Sequence, residues 1–120
     1  MPVSASATSA KTEAWLWIAQ RASAALLALC VLVHLVTIIY AVRQGLSGAA
    51  ILERTQGNAV GLAFYSLYVL AIAVHAPIGL RTLCQEWLGW RTASLNWFIA
   101  ALALALFVFG LRAALAVFLA

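Results

Sequence analysis

The sequence predicts an all-α integral membrane protein with three transmembrane helices. Apolar residues make up 67% of its 120 residues and charged residues 8%, and the mean hydropathy is +1.07, far outside the usage of soluble globular proteins. A helix needs about 20 apolar residues to cross the hydrocarbon layer, and three stretches reach this length, at residues 22–42, 60–80 and 95–119. These runs are continuous rather than alternating, so they favour helices and exclude a transmembrane β-barrel.

The residues before the first span differ in character. Residues 1–14, MPVSASATSAKTEA, are small and polar, and they lack the basic start and short apolar core of a signal peptide. We expect them to form a flexible tail, followed by a single three-helix domain over residues 15–120. An odd number of spans puts the termini on opposite sides of the membrane.

The basic residues indicate topology rather than a nucleic-acid surface. The net charge is +4, but the basic residues are scattered and form no cluster or stripe. With three spans, four of them flank one surface and three the other, which favours a cytoplasmic N-terminus. The two groups are Lys11, Arg21, Arg81 and Arg91, and Arg43, Arg54 and Arg112.

Few other features suggest chemistry. Cys30 and Cys84 have no metal-ligand spacing, and we expect them to pack without reacting. The connection at residues 43–58 is either a short helix on the membrane surface or a plain linker. No GxxxxGK[ST], GxSxG, CxxC or HExxH motif occurs.

Polar side chains within the spans are the candidate site residues, because an unpaired polar group in lipid is costly. His34 and His75 lie in mid-span. A neutral imidazole has a nitrogen lone pair suited to haem iron, while the structural alternative is a hydrogen bond to a carbonyl, Ser or Thr. Arg112 is expected to be an interfacial anchor. Trp17 is expected in an interfacial aromatic belt, with the wall of a quinone site as the alternative.

The residues after His75 extend this candidate site. Gly79 follows at i+4 and Thr82 at i+7, so all three share one helix face, and Gly79 leaves room there for a flat macrocycle. Arg81 points off that face. Pro77 removes a backbone donor and crowds the carbonyl of Ala73, so a bend is expected.

The two histidines are predicted to lie at different depths. If Arg21 and Arg81 mark the same surface, His34 is about 20 Å deep and His75 about 9 Å deep. The two rings are then not the two axial ligands of one haem, and each iron would need a histidine from another chain.

The residues around His75 and Arg21 resemble a known family. "HAPIGLRTLCQE", residues 75–86, is similar to the H-x-x-x-G-x-R-H-x-x-x-D signature of the cytochrome b membrane-anchor subunit of succinate dehydrogenase and fumarate reductase. "QRASA", residues 20–24, resembles that family's H-R-x-S/T-G at the start of the first span. The resemblance covers residues 15–87.

The resemblance implies roles for these residues. His75 matches the axial haem b ligand, with the opposite ligand from a second small anchor chain, and Arg81 matches an arginine near the haem propionates. Arg21 and Ser23 match residues of the quinone pocket. His34, in "LVHLVTIIY", resembles the histidine that holds a second, more distant haem in two-haem members.

The resemblance also implies partners and a location. The chain has no flavin motif and no cysteine set for iron–sulfur clusters, so dicarboxylate chemistry would belong to a flavoprotein subunit and an iron–sulfur subunit. The expected setting is a bacterial inner membrane. The chain would dock these partners, hold haem and help form the site where quinone is reduced.

The sequence departs from the family pattern at several positions. Gln20 and Thr82 stand where the family commonly has histidine, Ala24 stands where it has Gly, and Glu86 stands where it has Asp. Trp17 replaces a polar residue.

Two other functions are alternatives. One is a haem-free anchor or assembly subunit, whose histidines make only hydrogen bonds. The other, a small multidrug-type transporter, is disfavoured because no span centre contains a carboxylate.

Overall fold

All secondary structure in the part of the chain that the structure describes is α-helical. The computed structural model describes residues 3–120, with side chains from residue 9 onward. Three of its four helices are long and apolar enough to cross a membrane, as predicted. The helices are α1 (Val3–Gln44), α2 (Gly48–Thr55), α3 (Ala59–Trp87) and α4 (Ala93–Leu119).

Helix α1 begins well before the predicted span. Its backbone is helical from Val3, whereas the span was predicted to begin at residue 22. No glycine or proline interrupts residues 3–44, and many of them are alanine, so nothing in the sequence ends the helix earlier. Met1 and Pro2 of the predicted tail lie outside the described residues. The flexibility of residues 1–14 stays a prediction.

The connection between the first two spans contains the short helix α2, one of the two alternatives expected for this segment. Ser47 caps its N-terminus by accepting a hydrogen bond from the backbone N–H of Ala50 at 3.1 Å. Gly57 ends the connection with φ +66° and donates its N–H to the carbonyl of Phe118 at 2.9 Å. This bond ties the connection to the end of α4.

Helix α3 lies at the centre of the bundle, because it packs extensively against both α1 and α4. The buried core joins Cys84 of α3 to Leu95 and Ile99 of α4. Cys30 and Cys84 are free and buried, as expected for packing residues. Most other apolar side chains point outward, which suits a surface covered by lipid.

Pro77 and Gly110 lie at positions where α3 is closely surrounded by other residues. Pro77 is fully buried inside α3, and the helix continues through it. Gly110 of α4 lies so near Val69 that an added Cβ would come within 2.6 Å of Val69 Cγ1. Small residues at such contacts let membrane helices approach one another.

Candidate functional site

His75 contacts the first helix through Ser23. The Ser23 hydroxyl lies 3.4 Å from His75 Nδ1 and also donates a hydrogen bond to the carbonyl of Gln20 at 3.1 Å. Ser23 is 7% exposed, and it is the one buried polar side chain in the described part of the protein. The "QRASA" and "HAPIG" motifs, which are more than fifty positions apart in sequence, therefore meet between α1 and α3.

Gln20 lies beside Gly79, one turn from His75. A Cβ added to Gly79 would come within 3.3 Å of Gln20 Nε2, so the space that Gly79 leaves adjoins this amide. The side-chain amide oxygen of Gln20, Oε1, is buried and has no hydrogen-bond partner among the described residues. Buried acceptors are rarely left unpaired, so this atom is a candidate contact for a bound group.

Arg81 joins three helices at the same end of the bundle. Its Nε donates to Asn96 Oδ1 at 3.0 Å, and its two terminal nitrogens contact the Glu13 carboxylate at 2.9 and 3.4 Å. The Arg81 side chain is only 13% exposed. Glu13 and Asn96 were not predicted as site residues, although each is a polar residue at the end of an apolar run.

A cleft of about 310 Å³ separates α1 from α3 next to this ion pair. It brings together Trp17, Gln20 and Arg81, which the sequence identified separately. Thr82 also lines it, and the Thr82 hydroxyl donates to the carbonyl of Ile78 at 3.2 Å. The full lining comprises Glu13, Leu16, Trp17, Gln20, Ile78, Arg81 and Thr82.

Arg21 lies apart from its motif neighbour Ser23. Residues two positions apart on a helix point in widely different directions, so Ser23 faces α3 while Arg21 is exposed. The Arg21 guanidinium instead lies 5.2 Å from the ring centre of Trp17, one turn earlier on the same helix. Arg112 is likewise exposed.

His34 belongs to a second cluster. Its Nδ1 lies 3.4 Å from the Tyr65 hydroxyl, and its ring meets those of Tyr65 and Tyr68 edge-on at 5.8 and 5.7 Å. A cavity of about 330 Å³ adjoins the His34 ring and is also lined by Arg54. On α1, His34 is 11 residues beyond Ser23, the contact of His75, which corresponds to about 16 Å along the helix axis.

The comparisons with known proteins identify the family. Searches of curated proteins and of solved structures each returned no match. Residues 3–112 match the family described as succinate dehydrogenase/fumarate reductase transmembrane subunit, which agrees with the motif resemblance. With its three long apolar helices, this multi-pass membrane chain belongs to the succinate dehydrogenase/fumarate reductase transmembrane subunits.

Proposed function

We propose that the chain is a haem b-binding membrane anchor of a succinate dehydrogenase or fumarate reductase complex. In this proposal it docks the flavoprotein and iron–sulfur subunits and helps to form the quinone site. The observation that carries the proposal is the contact of His75 with Ser23, beside Gly79 and the unpaired oxygen of Gln20.

The residues around His75 suit one axial position of a haem. Its Nδ1 faces Ser23, and no described group hydrogen-bonds to Nε2, which leaves that nitrogen available to iron. The chain's other histidine, His34, is about 16 Å along α1 from Ser23, the contact of His75, so this chain would offer iron one imidazole at this position. A second small membrane-anchor subunit would supply the opposite ligand. A bound haem would carry single electrons, with a potential set by burial and nearby hydrogen bonds.

The cleft between α1 and α3 supports a quinone site at the same end of the bundle. Trp17 provides an aromatic wall, and the Gln20 oxygen is an acceptor for the hydroxyl of a reduced quinone. Arg21 stacks on Trp17 outside the cleft, where its charge stabilises negative charge that develops on a quinone oxygen. Ser23 matches a residue of this pocket by resemblance, and in the structure its hydroxyl lies beside His75.

His34 is proposed as the ligand of a second, more distant haem. The cavity beside its ring combines apolar walls with the Arg54 guanidinium, and a haem likewise combines an apolar ring with carboxylates. The separation of about 16 Å along α1 between Ser23 and His34 argues against one shared iron.

We also propose that the chain lies in a bacterial inner membrane with its N-terminus in the cytoplasm. Four basic residues flank the N-terminal surface and three flank the opposite one. Soluble subunits would then dock on the cytoplasmic side, near the cleft and the Arg81 ion pair.

A reduced-minus-oxidised spectrum of the complex, purified with its neighbouring subunits, tests the haem assignment. We expect a b-type signal in the wild type and its loss, in whole or in part, in His75→Ala. A His34→Ala variant, compared in the same way, tests the second haem. A wild-type complex without a b-type signal would refute the haem proposal. An unchanged signal in His75→Ala would refute the assignment of His75 as the axial ligand.

A haem-free anchor is the second candidate function, and two contacts favour it. Gln20 already lies beside Gly79, and Arg81 is already paired with Glu13 and Asn96. In that case His75 and His34 would serve only as hydrogen-bonding residues. Normal quinone reduction by a complex in which both histidines are replaced would favour this function.

A further inference from the structure

Ser23 stands out because it is a buried hydroxyl between two helices. It is 7% exposed, whereas Gln20 and Arg21, which precede it in the same motif, are less buried. A buried hydroxyl is costly unless its hydrogen-bonding capacity is used. The partners of Ser23 therefore indicate what this side chain does.

The hydrogen of the Ser23 hydroxyl is already used within α1. A serine has one hydroxyl proton and two acceptor lone pairs, and Ser23 donates its proton to the carbonyl of Gln20 at 3.1 Å. Toward His75 Nδ1, at 3.4 Å, the same oxygen can then only accept. A neutral imidazole has one protonated nitrogen, so a proton on Nδ1 leaves the lone pair on Nε2.

We propose that Ser23 is a positioning residue that holds His75 as the Nδ1–H tautomer and presents Nε2 as the metal-binding nitrogen. This inference rests on the proposed haem function. It assigns Ser23 to the orientation of the ligand rather than to contact with quinone. Hydrogen bonds from the second nitrogen of a ligating imidazole commonly set its orientation and basicity.

Nitrogen-15 NMR of the haem-free, full-length chain in lipid nanodiscs, with labelled histidine, tests the tautomer directly. We expect the His75 proton on Nδ1 in the wild type. In Ser23→Ala the preference for this tautomer should fall about fivefold, the factor that corresponds to the usual net contribution of one hydrogen bond. A proton on Nε2 in the wild type, or an unchanged preference in Ser23→Ala, would overturn the proposal.

The complete complex provides a second measurement that does not depend on turnover. Ser23→Ala should shift the midpoint potential and the electron paramagnetic resonance signal of the ferric haem, and Ser23→Thr, which keeps the hydroxyl, should restore both. Ser66→Ala is the matched control, because Ser66 is a half-buried serine of α3 that lines none of the clefts around the histidines. A potential in Ser23→Ala equal to that of the control would contradict the inference.

The two proposals fail in different ways. A wild-type complex without haem would remove the proposed function, and the NMR measurement would still decide the role of Ser23. A haem-containing complex in which Ser23→Ala changes neither tautomer nor potential would remove only the role of Ser23.

Discussion

Replacing Gly110 with alanine should weaken the packing of α3 against α4. A Cβ at this position would lie 2.6 and 2.9 Å from the two γ-carbons of Val69. Non-bonded carbons prefer separations of about 3.5–4.0 Å, so the overlap is about 1 Å. Valine in a helix is largely restricted to one side-chain rotamer, so the helices themselves must move apart.

The size of the effect follows from two opposing contributions. Overpacking of this kind costs about 1–3 kcal/mol, whereas alanine favours a helix over glycine by about 1 kcal/mol. Gly48→Ala is the control, because a Cβ there meets nothing within 4 Å and the residue also lies in a helix. The free energy of unfolding of Gly110→Ala should therefore lie about 1–3 kcal/mol below that of Gly48→Ala.

Unfolding of the purified chain in mixed micelles, followed by circular dichroism and tryptophan fluorescence, measures this difference. Val69→Ala removes both γ-carbons, so the double variant should show a positive coupling that recovers most of the cost. Equal stability of Gly110→Ala and Gly48→Ala would refute the reasoning. If the stability changes of Gly110→Ala and Val69→Ala simply added in the double variant, Val69 would not be the residue that clashes with the new Cβ.

Three further changes probe other parts of the fold through the same unfolding measurement. Asn96→Ala removes the acceptor for Arg81 Nε and should cost about 1–2 kcal/mol; an unchanged stability would show that the contact contributes nothing. Gly57→Ala forces alanine to a φ of +66° and should cost about 1–2 kcal/mol, and a neutral result would mean that the turn relaxes. Leu95→Ala should cost about 2–5 kcal/mol because Leu95 is 1% exposed, whereas Leu104→Ala, at 65% exposed, should change stability much less; equal losses would contradict the core assigned here.

The sequence predicted the spans because each one depends only on the summed hydropathy of about 20 consecutive residues. The predicted ranges 22–42, 60–80 and 95–119 all fall inside α1, α3 and α4. Helix α1 begins at Val3, 19 residues before the predicted start of the first span at residue 22. Hydropathy marks only where a helix is apolar, and the alanine-rich segment continues the helix beyond that point.

The individual residues of the candidate site could be identified from the sequence, but the side-chain contacts between them could not. Helical spacing and the motif resemblance identified His75, Gly79, Arg81 and Ser23. They did not predict that Ser23 would meet His75, or that Arg81 would be held by Glu13 and Asn96. Their roles toward haem and quinone stay predictions.

The sequence by itself determined that this is a three-span membrane protein, and it determined the family to which the chain belongs. In lipid, long apolar runs have few alternatives to helices, so composition and length are sufficient. Only the tertiary structure decided which polar groups meet. Ser23 and His75 are 3.4 Å apart because α1 and α3 pack at one rotation and one register, and that choice depends on side chains along their whole contact rather than on either motif.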